Sequence, residues 1–225
     1  TRIRDGGYGA VAVCFLHSYA NPSHEIVARD RLQARLGDMF ITLSHEVASE
    51  YREFERFSTT VVNAHVGPRT KAYFNELARG LAAMGIACPL YTVTSNAGLV
   101  DIATATAQPV RTALSGPAAG VAGIGRLLAV PGLGDLITFD VGGTSTDVAI
   151  VKGGAPGLAR ARKVAGHPVL APMVDIEVIG AGGGSLARLD AAGALIVGPQ
   201  SAGAEPGPVA YGRGGTCPTV TDAAL

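Results

Sequence analysis

The first uninterrupted apolar run, Ala10 to Leu16 (AVAVCFL), has the length of a strand rather than of a helix. A polar turn, His17 to Asn21, follows it. Pro22 stands where a helix opens, because its fixed φ suits the first turn and its missing N–H is not needed there. From Pro22 to Leu36 the positions Ile26, Val27, Leu32 and Leu36 recur at helical spacing, and Gly37 supplies the stop. Phe40 to Leu43 reads as a second strand. Strand, helix and strand in so short a span predict an α/β layer with a parallel pair.

Glu50 to Gly85 is the longest helical stretch, with Phe54, Phe57, Val61, Ala64, Tyr73, Leu77 and Leu81 as its expected apolar face. Gly67-Pro68 is expected to divide or bend it. Leu90 to Thr94 alternates as a strand does and runs into the turn Ser95 to Gly98. Gly116 to Val130, after Ser115-Gly116-Pro117, reads as a Gly/Ala-rich helix able to pack close to a sheet. Leu136 to Asp140 and Ser145 to Val151 read as the two strands of a hairpin around Gly142-Gly143. From Gly153 onward the chain is loop-rich and dense in Gly and Pro, and no internal repeat is present.

Composition narrows the function more than the fold. Apolar residues make up 48% of the chain and charged residues 16%, which excludes a disordered, highly charged polypeptide. Thirty-one glycines point to many tight turns and close backbone approaches, as suits a ligand held by loops. The 18 basic and 18 acidic residues cancel, so the one-sided basic field that nucleic acid demands is not built. Cys14, Cys88 and Cys217 lie far apart without CxxC spacing. They suit a reduced, cytoplasmic protein rather than a disulfide framework or a zinc knuckle. No apolar run approaches the roughly 20 residues of a membrane span. The chain opens on Thr1 and stops on Leu225 just after Thr221-Asp222, which reads as a piece of something longer.

The densest chemistry is in Asp140-Val141-Gly142-Gly143-Thr144-Ser145-Thr146-Asp147. The first strand delivers a carboxylate to its end, and two glycines are expected to supply positive φ in a tight turn. Without Cβ atoms the amides of Gly142, Gly143 and Thr144 can approach phosphate oxygens, with the Thr144 and Thr146 hydroxyls as further donors. Asp140 and Asp147 can together hold a hydrated Mg²⁺, which prefers oxygen ligands and keeps several waters. No lysine follows a glycine, so a Walker A lysine is absent. Elsewhere, Gly180 to Ser185 (GAGGGS) lacks dinucleotide spacing, and its glycines read as a hinge. Asp175 and Glu177, two apart, form either a carboxylate pair or a solvated edge. Neither His24-Glu25 nor His45-Glu46 has a second His four residues on, so a zincin helix is excluded, and the histidines read as surface or hydrogen-bonded. Ser115-Gly116-Pro117 is not a nucleophile elbow. Glu50, Arg52, Glu53 and Arg56 read as ion pairs on a solvated helix face.

DVGGTSTDVAIV (140–151) resembles a phosphate-binding hairpin of the actin-like ATPase superfamily. The wider sequence resembles one branch of it, the hydantoinase A/5-oxoprolinase family, which includes subunits of acetone and acetophenone carboxylases. The matching strings are AVCFLHSYANPSHE (12–25), LSHEVASEYREFERFSTTVVNAHVGP (43–68), LYTVTSNAGLV (90–100), PVRTALSGPAAGV (109–121), PMVDIEVIGAGGGSLARLD (172–190) and GPQSAGAEPGPVAYGRGGTCPTVTDA (198–223). The resemblance implies RNase-H-like lobes with mixed sheets flanked by helices. Residues 1–60 would end a first lobe, 61–88 connect, and 89–225 form much of a second. It further implies ATP and Mg²⁺, a nucleotide-side or interdomain loop at Gly182, Gly183 and Gly184, ring opening of a cyclic amide after phosphoryl activation of its oxygen, and a hydantoinase B-type partner. A carboxylase subunit acting on a ketone, another actin-like ATPase and a non-catalytic scaffold are the alternatives. The family's upstream Gly-Gly-Thr phosphate turn is not in this chain. Glu177 stands where His is common, Ala97 where a second Gly is usual and Ala224 where Asn is usual.

Overall fold

A computed structural model describes residues 2–127 and 134–225. A short helix, α1 (Arg2–Asp5), precedes β1 (Ala10–Val13), which pairs in parallel with β2 (Phe40–Leu43) through the crossover helix α2 (Ser23–Leu36). Gly37 ends α2 at φ 65°, a conformation that an L side chain resists. After a single turn, α3 (Ser44–Val47), the chain runs 31 residues through α4 (Glu53–Ala83). Pro68 does not divide α4 in two, although it removes the amide that would bond to the carbonyl of Ala64. The Gly67 before it serves close packing: a Cβ there would meet the Phe40 ring of β2 at 2.4 Å. A hairpin of β3 (Tyr91–Val93) and β4 (Leu99–Asp101) leads into α5 (Ile102–Ala107), which Asp101 caps by accepting a bond from the Thr104 amide. A 3-10 turn, Pro109–Thr112, and α6 (Ser115–Leu127) follow. The last three residues of the expected Gly116–Val130 helix lie outside the described residues.

β5 (Leu136–Val141) and β6 (Thr146–Lys152) form the expected antiparallel hairpin, from Leu136 opposite Val151 to Val141 opposite Thr146. The chain beyond it is far more ordered than its glycine content predicts. It holds β7 (Ala155–Pro156), β8 (Leu158–Ala159), β9 (Arg162–Val164), β10 (His167–Val169), β11 (Met173–Val174), β12 (Ile176–Ile179), β13 (Ser185–Leu189), β14 (Leu195–Ser201) and α7 (Val220–Ala224). β12 pairs with β6 on the side away from β5, and β13 pairs with β14. Hydrogen bonds between backbones, which demand no particular side chain, build these strands, so side-chain periodicity did not announce them.

The chain divides into two compact units. The first is Thr1–Ala119 with Leu158–Val174, and the second is Gly120–Gly157 with Asp175–Leu225. The expected connector, 61–88, lies inside the first unit, because α4 packs on β1, β2 and β10. The core of that unit gathers Val47, Val110, Val169, Ala171 and Met173.

The expected apolar face of α4 is corrected. Phe54, Val61 and Tyr73 are exposed, while Arg56, Thr59, Thr60 and Asn63 are fully buried at the same helical spacing. Each buried residue has partners that offset its desolvation. The Asn63 amide group donates to Thr42 Oγ1 and to the Ala107 carbonyl and accepts from the Val110 amide. Thr59 accepts from the Leu170 amide. Arg56 donates to the carbonyls of Glu50 and Phe15, lies over the Tyr19 and Phe57 rings and keeps the expected pair with Glu53 at 3.7 Å, but it is buried rather than on a solvated face.

Candidate functional site

The β5–β6 hairpin places Asp140 directly opposite Asp147. Facing residues of such a pair share one face of the sheet with Cβ atoms about 5 Å apart. Two residues further along each strand on that face are Thr138 and Ala149, which with Ile176 of β12 form a buried row. The carboxylates therefore sit where this buried face opens, at the mouth of the glycine turn. Partial burial, and then the neighbouring charge of Asp140, raise the Asp147 carboxyl above the ordinary aspartate value. The opposite face of the hairpin carries Ile137, Phe139, Val141 and Ile150, all exposed in this chain.

The turn differs in detail from the sequence expectation. Neither Gly142 nor Gly143 has φ in the left-handed region. The Gly142 amide is committed inside the turn, donating to the Ser145 carbonyl at 2.9 Å. The amides of Gly143 and Thr144 donate to no acceptor among the described residues, and a Cβ at Gly143 would meet nothing within 4 Å. Open space therefore lies over the turn at Gly143. Thr146 spends its hydroxyl hydrogen on the Ala181 carbonyl at 2.6 Å, so it braces the neighbouring glycine loop rather than offering a donor outward.

That loop explains its own glycines. Gly183 and Gly184 donate to the carbonyls of Gly142 and Gly143 at 3.0 and 2.6 Å, laying the loop backbone against the turn. A Cβ at Gly182 would stand 2.6 Å from the Gly142 oxygen, and one at Gly184 would stand 2.8 Å from the Gly143 oxygen. A Cβ at Gly183 would press on Thr221 of α7 at 2.8 Å, and Thr221 in turn donates both its amide and its hydroxyl to the Gly183 carbonyl. Backbone contact with the turn thus demands glycine at 182 and 184, while the Thr221 side chain crowds position 183. α7 is locked by a capping box in which Thr219 and Asp222 bond each other's amides, while Ala224 is exposed at its end.

Asp175 and Glu177 are exposed and line one surface depression with Lys152. Glu177 lies opposite Val148, one step along β6 from Asp147, and so belongs to the other face of the sheet. Ala97 adopts φ 64° in the β3–β4 turn, which gives a physical reason for the glycine usual there.

The sequence reading did not join Glu25 to His45. The Glu25 carboxylate, fully buried, accepts from the Phe15 amide, the Ser44 hydroxyl, the His45 amide and the His45 ring Nδ1. Burial by itself would raise this carboxyl, but the bonds from Ser44, His45 and Phe15 outweigh it and hold it below the ordinary glutamate value. The available signal was two His-Glu dipeptides, one on α2 and one on α3; only the fold brings the acid of one to the ring of the other. No group of three or more metal-ligating side chains occurs among the described residues, and no described helix is long and apolar enough to cross a membrane.

Comparison with known proteins gives these residues a context. The caprolactamase alpha subunit of Pseudomonas jessenii is 42% identical over 96% of this chain, which covers 31% of that protein. The crystal structure of the ATP-dependent caprolactamase from the same organism superposes with a TM-score of 0.79, over 99% of this chain and 32% of the other. Nucleotide-free acetone carboxylase, 26% identical, also gives a TM-score of 0.79, over 98% of this chain and 31% of the other. The chain thus spans about a third of the length of these relatives, and the α/β fold class expected from the actin-like resemblance agrees with both structures. Residues 56–225 match the hydantoinase/oxoprolinase family, and with sequence and fold in agreement the chain belongs to it.

Proposed function

We propose that the protein containing this chain opens a cyclic amide at the expense of ATP, with the β5–β6 turn seating phosphate. The observation that carries this reading is the register of Asp140 against Asp147 beside the uncommitted amides of Gly143 and Thr144. Two facing carboxylates, with no third ligand among the described residues, suit Mg²⁺, which takes one or two protein carboxylates and keeps several waters. Asp140 and Asp147 would hold it, and it would supply charge neutralisation for a phosphoryl group in transfer. When bound, ATP would supply the phosphoryl group, leaving as ADP, that turns an unreactive amide into a good electrophile for water, whose addition lets the ring C–N bond break. The Gly143 and Thr144 amides and the Thr144 hydroxyl grip phosphate oxygens. The same carboxylate pair, at the mouth of the turn, would also orient an attacking water. Thr146 and the glycines 182–184 act behind the turn by fixing its backbone.

The similarity to acetone carboxylase supports a second reading, a carboxylase subunit acting on a ketone, which the same turn would serve. The relatives' naming as subunits supports a hydantoinase B-type partner, and three unpaired cysteines support a reducing, cytoplasmic setting. The test uses the full polypeptide with its partner. ATP hydrolysis stimulated by a lactam supports the amidohydrolase, and stimulation by a ketone with bicarbonate supports the carboxylase. Failure to bind ATP·Mg²⁺ at millimolar concentration leaves a scaffold. Asp140→Ala should abolish turnover with the melting temperature retained, and surviving turnover would remove Asp140 from the mechanism.

A further inference from the structure

The first compact unit contains a cavity of about 230 Å³ that shares no residue with the hairpin. Its walls combine polar side chains, Asn96, Gln108 and Arg111 among them, with the apolar surfaces of Leu99, Ala105 and Pro172. The polar groups are held from behind. Asn96 Oδ1 accepts from Thr94 Oγ1 at 2.5 Å and from the Gly98 amide at 3.0 Å, which leaves the Asn96 NH₂ as donor. Gln108 spends its NH₂ on the Glu46 carbonyl at 2.7 Å, which leaves its oxygen as acceptor. The backbone of Arg111 is clamped by fully buried Ser95, whose amide and hydroxyl both donate to the Arg111 carbonyl, at 2.6 and 2.8 Å.

The Arg111 guanidinium itself makes neither an ion pair nor a hydrogen bond among the described residues. The nearest acid in sequence on the β4 side, Asp101, is committed to the amide of Thr104. Arg111, Asn96 and Leu99 are exposed at the rim, so a cation on a fixed backbone, beside an amide donor and without a protein counter-charge, is free to exchange water for an anion. A planar guanidinium matches a carboxylate through two parallel bonds. The apolar half of the wall suits a short hydrocarbon body, and the volume, below the range of drug-sized pockets, suits a small metabolite.

We propose that this cavity is a binding site for a short aliphatic carboxylate, with Arg111 and Asn96 holding the carboxylate group and Leu99, Ala105 and Pro172 packing its chain. The Gln108 oxygen is placed to accept from a donor elsewhere on the ligand. The assignment rests on the cavity alone and stands whether or not the hairpin binds nucleotide.

Calorimetric titration of the full polypeptide with propionate and hexanoate tests it, with propionamide, hexanamide and inorganic phosphate as controls. The acids should bind at least about tenfold more tightly than the matching amides, the size expected for a charge-assisted pair. Arg111→Gln should bring the acids to the level of the amides, leaving melting temperature and ATP turnover without carboxylate unchanged. Arg111→Lys, a point charge without the fork, should fall between the two. Equal affinity for acid and amide would overturn the proposal. So would undiminished acid binding in Arg111→Gln, or phosphate binding more tightly than either acid in an Arg111-dependent way. Because the acid-against-amide comparison uses the unaltered protein, a variant that fails to fold leaves the proposal testable.

Discussion

Replacing Gly182 with alanine isolates the backbone contact that fixes the phosphate turn. The added Cβ would lie 2.6 Å from the Gly142 oxygen, 2.8 Å from the Ser145 nitrogen and 2.9 Å from the Gly143 carbonyl carbon. Comfortable contacts need about 3.5 Å or more, so the loop and turn must part by close to 1 Å. Every atom in the way is backbone, so no rotamer change can absorb the clash. Overpacking of this kind costs about 1–3 kcal/mol. The same movement stretches the bonds from Gly183 and Gly184 to the turn, at about 1 kcal/mol each. A loss of about 3–5 kcal/mol corresponds to a melting temperature lower by roughly 6–20 °C in a domain of this size. Gly143→Ala is the matched control. Its Cβ meets nothing within 4 Å and its φ is not left-handed, so stability should hold or rise slightly. If the space above Gly143 belongs to a phosphate, however, the methyl should weaken ATP binding at least about tenfold, near 1.4 kcal/mol. Both variants can be read by differential scanning fluorimetry and nucleotide titration of the full polypeptide. Melting of Gly182→Ala within about 2 °C of the parent would refute the packing account. Unchanged ATP affinity in Gly143→Ala would refute the phosphate seat.

The raised Asp147 carboxyl makes its ionised form a cost to the fold that is absent below the ordinary aspartate pKa and complete once pH has risen through the folded value. Asp147→Asn should therefore melt higher than the parent at neutral pH, with the gap closing in acid, and should lose any stabilisation by millimolar Mg²⁺; a gap that widens in acid would contradict this. Glu25 works in the opposite direction: its depressed carboxyl stabilises above the ordinary glutamate pKa, and that benefit disappears as pH falls through the folded value. Glu25→Ala, which orphans the buried Ser44 hydroxyl and the part-buried amides of Phe15 and His45, should cost about 3 kcal/mol or more in urea unfolding, and a cost under about 1 kcal/mol would show that water replaces the carboxylate. Ala97→Gly should raise stability by up to about 1 kcal/mol through relief of the positive φ, measured by the same unfolding curves.

Periodicity and turn chemistry alone determined the β1–α2–β2 crossover, the length of the helical stretch after Glu50 and the β5–β6 hairpin with its two aspartates. Each depends on residues near one another in the chain, where 3.6- and 2-residue repeats and stops such as Gly37 act directly. The apolar stripe of α4 was misplaced because burial there is decided by partners far away in sequence. Asn63 is interior only since Thr42, Ala107 and Val110 meet it, and Arg56 only since Phe15 and Tyr19 do. The same holds at the candidate site. The sequence placed glycines at 142–143 and 182–184, but the reason for Gly182 and Gly184, backbone pressed on backbone between a turn and a loop some forty residues apart, exists only once β5, β6 and β12 are assembled. Glu25 against His45 and Arg111 beside Asn96 are likewise products of folding. A sequence shows which groups are available, whereas desolvation and juxtaposition, which set their chemistry, depend on distances that only the tertiary structure fixes.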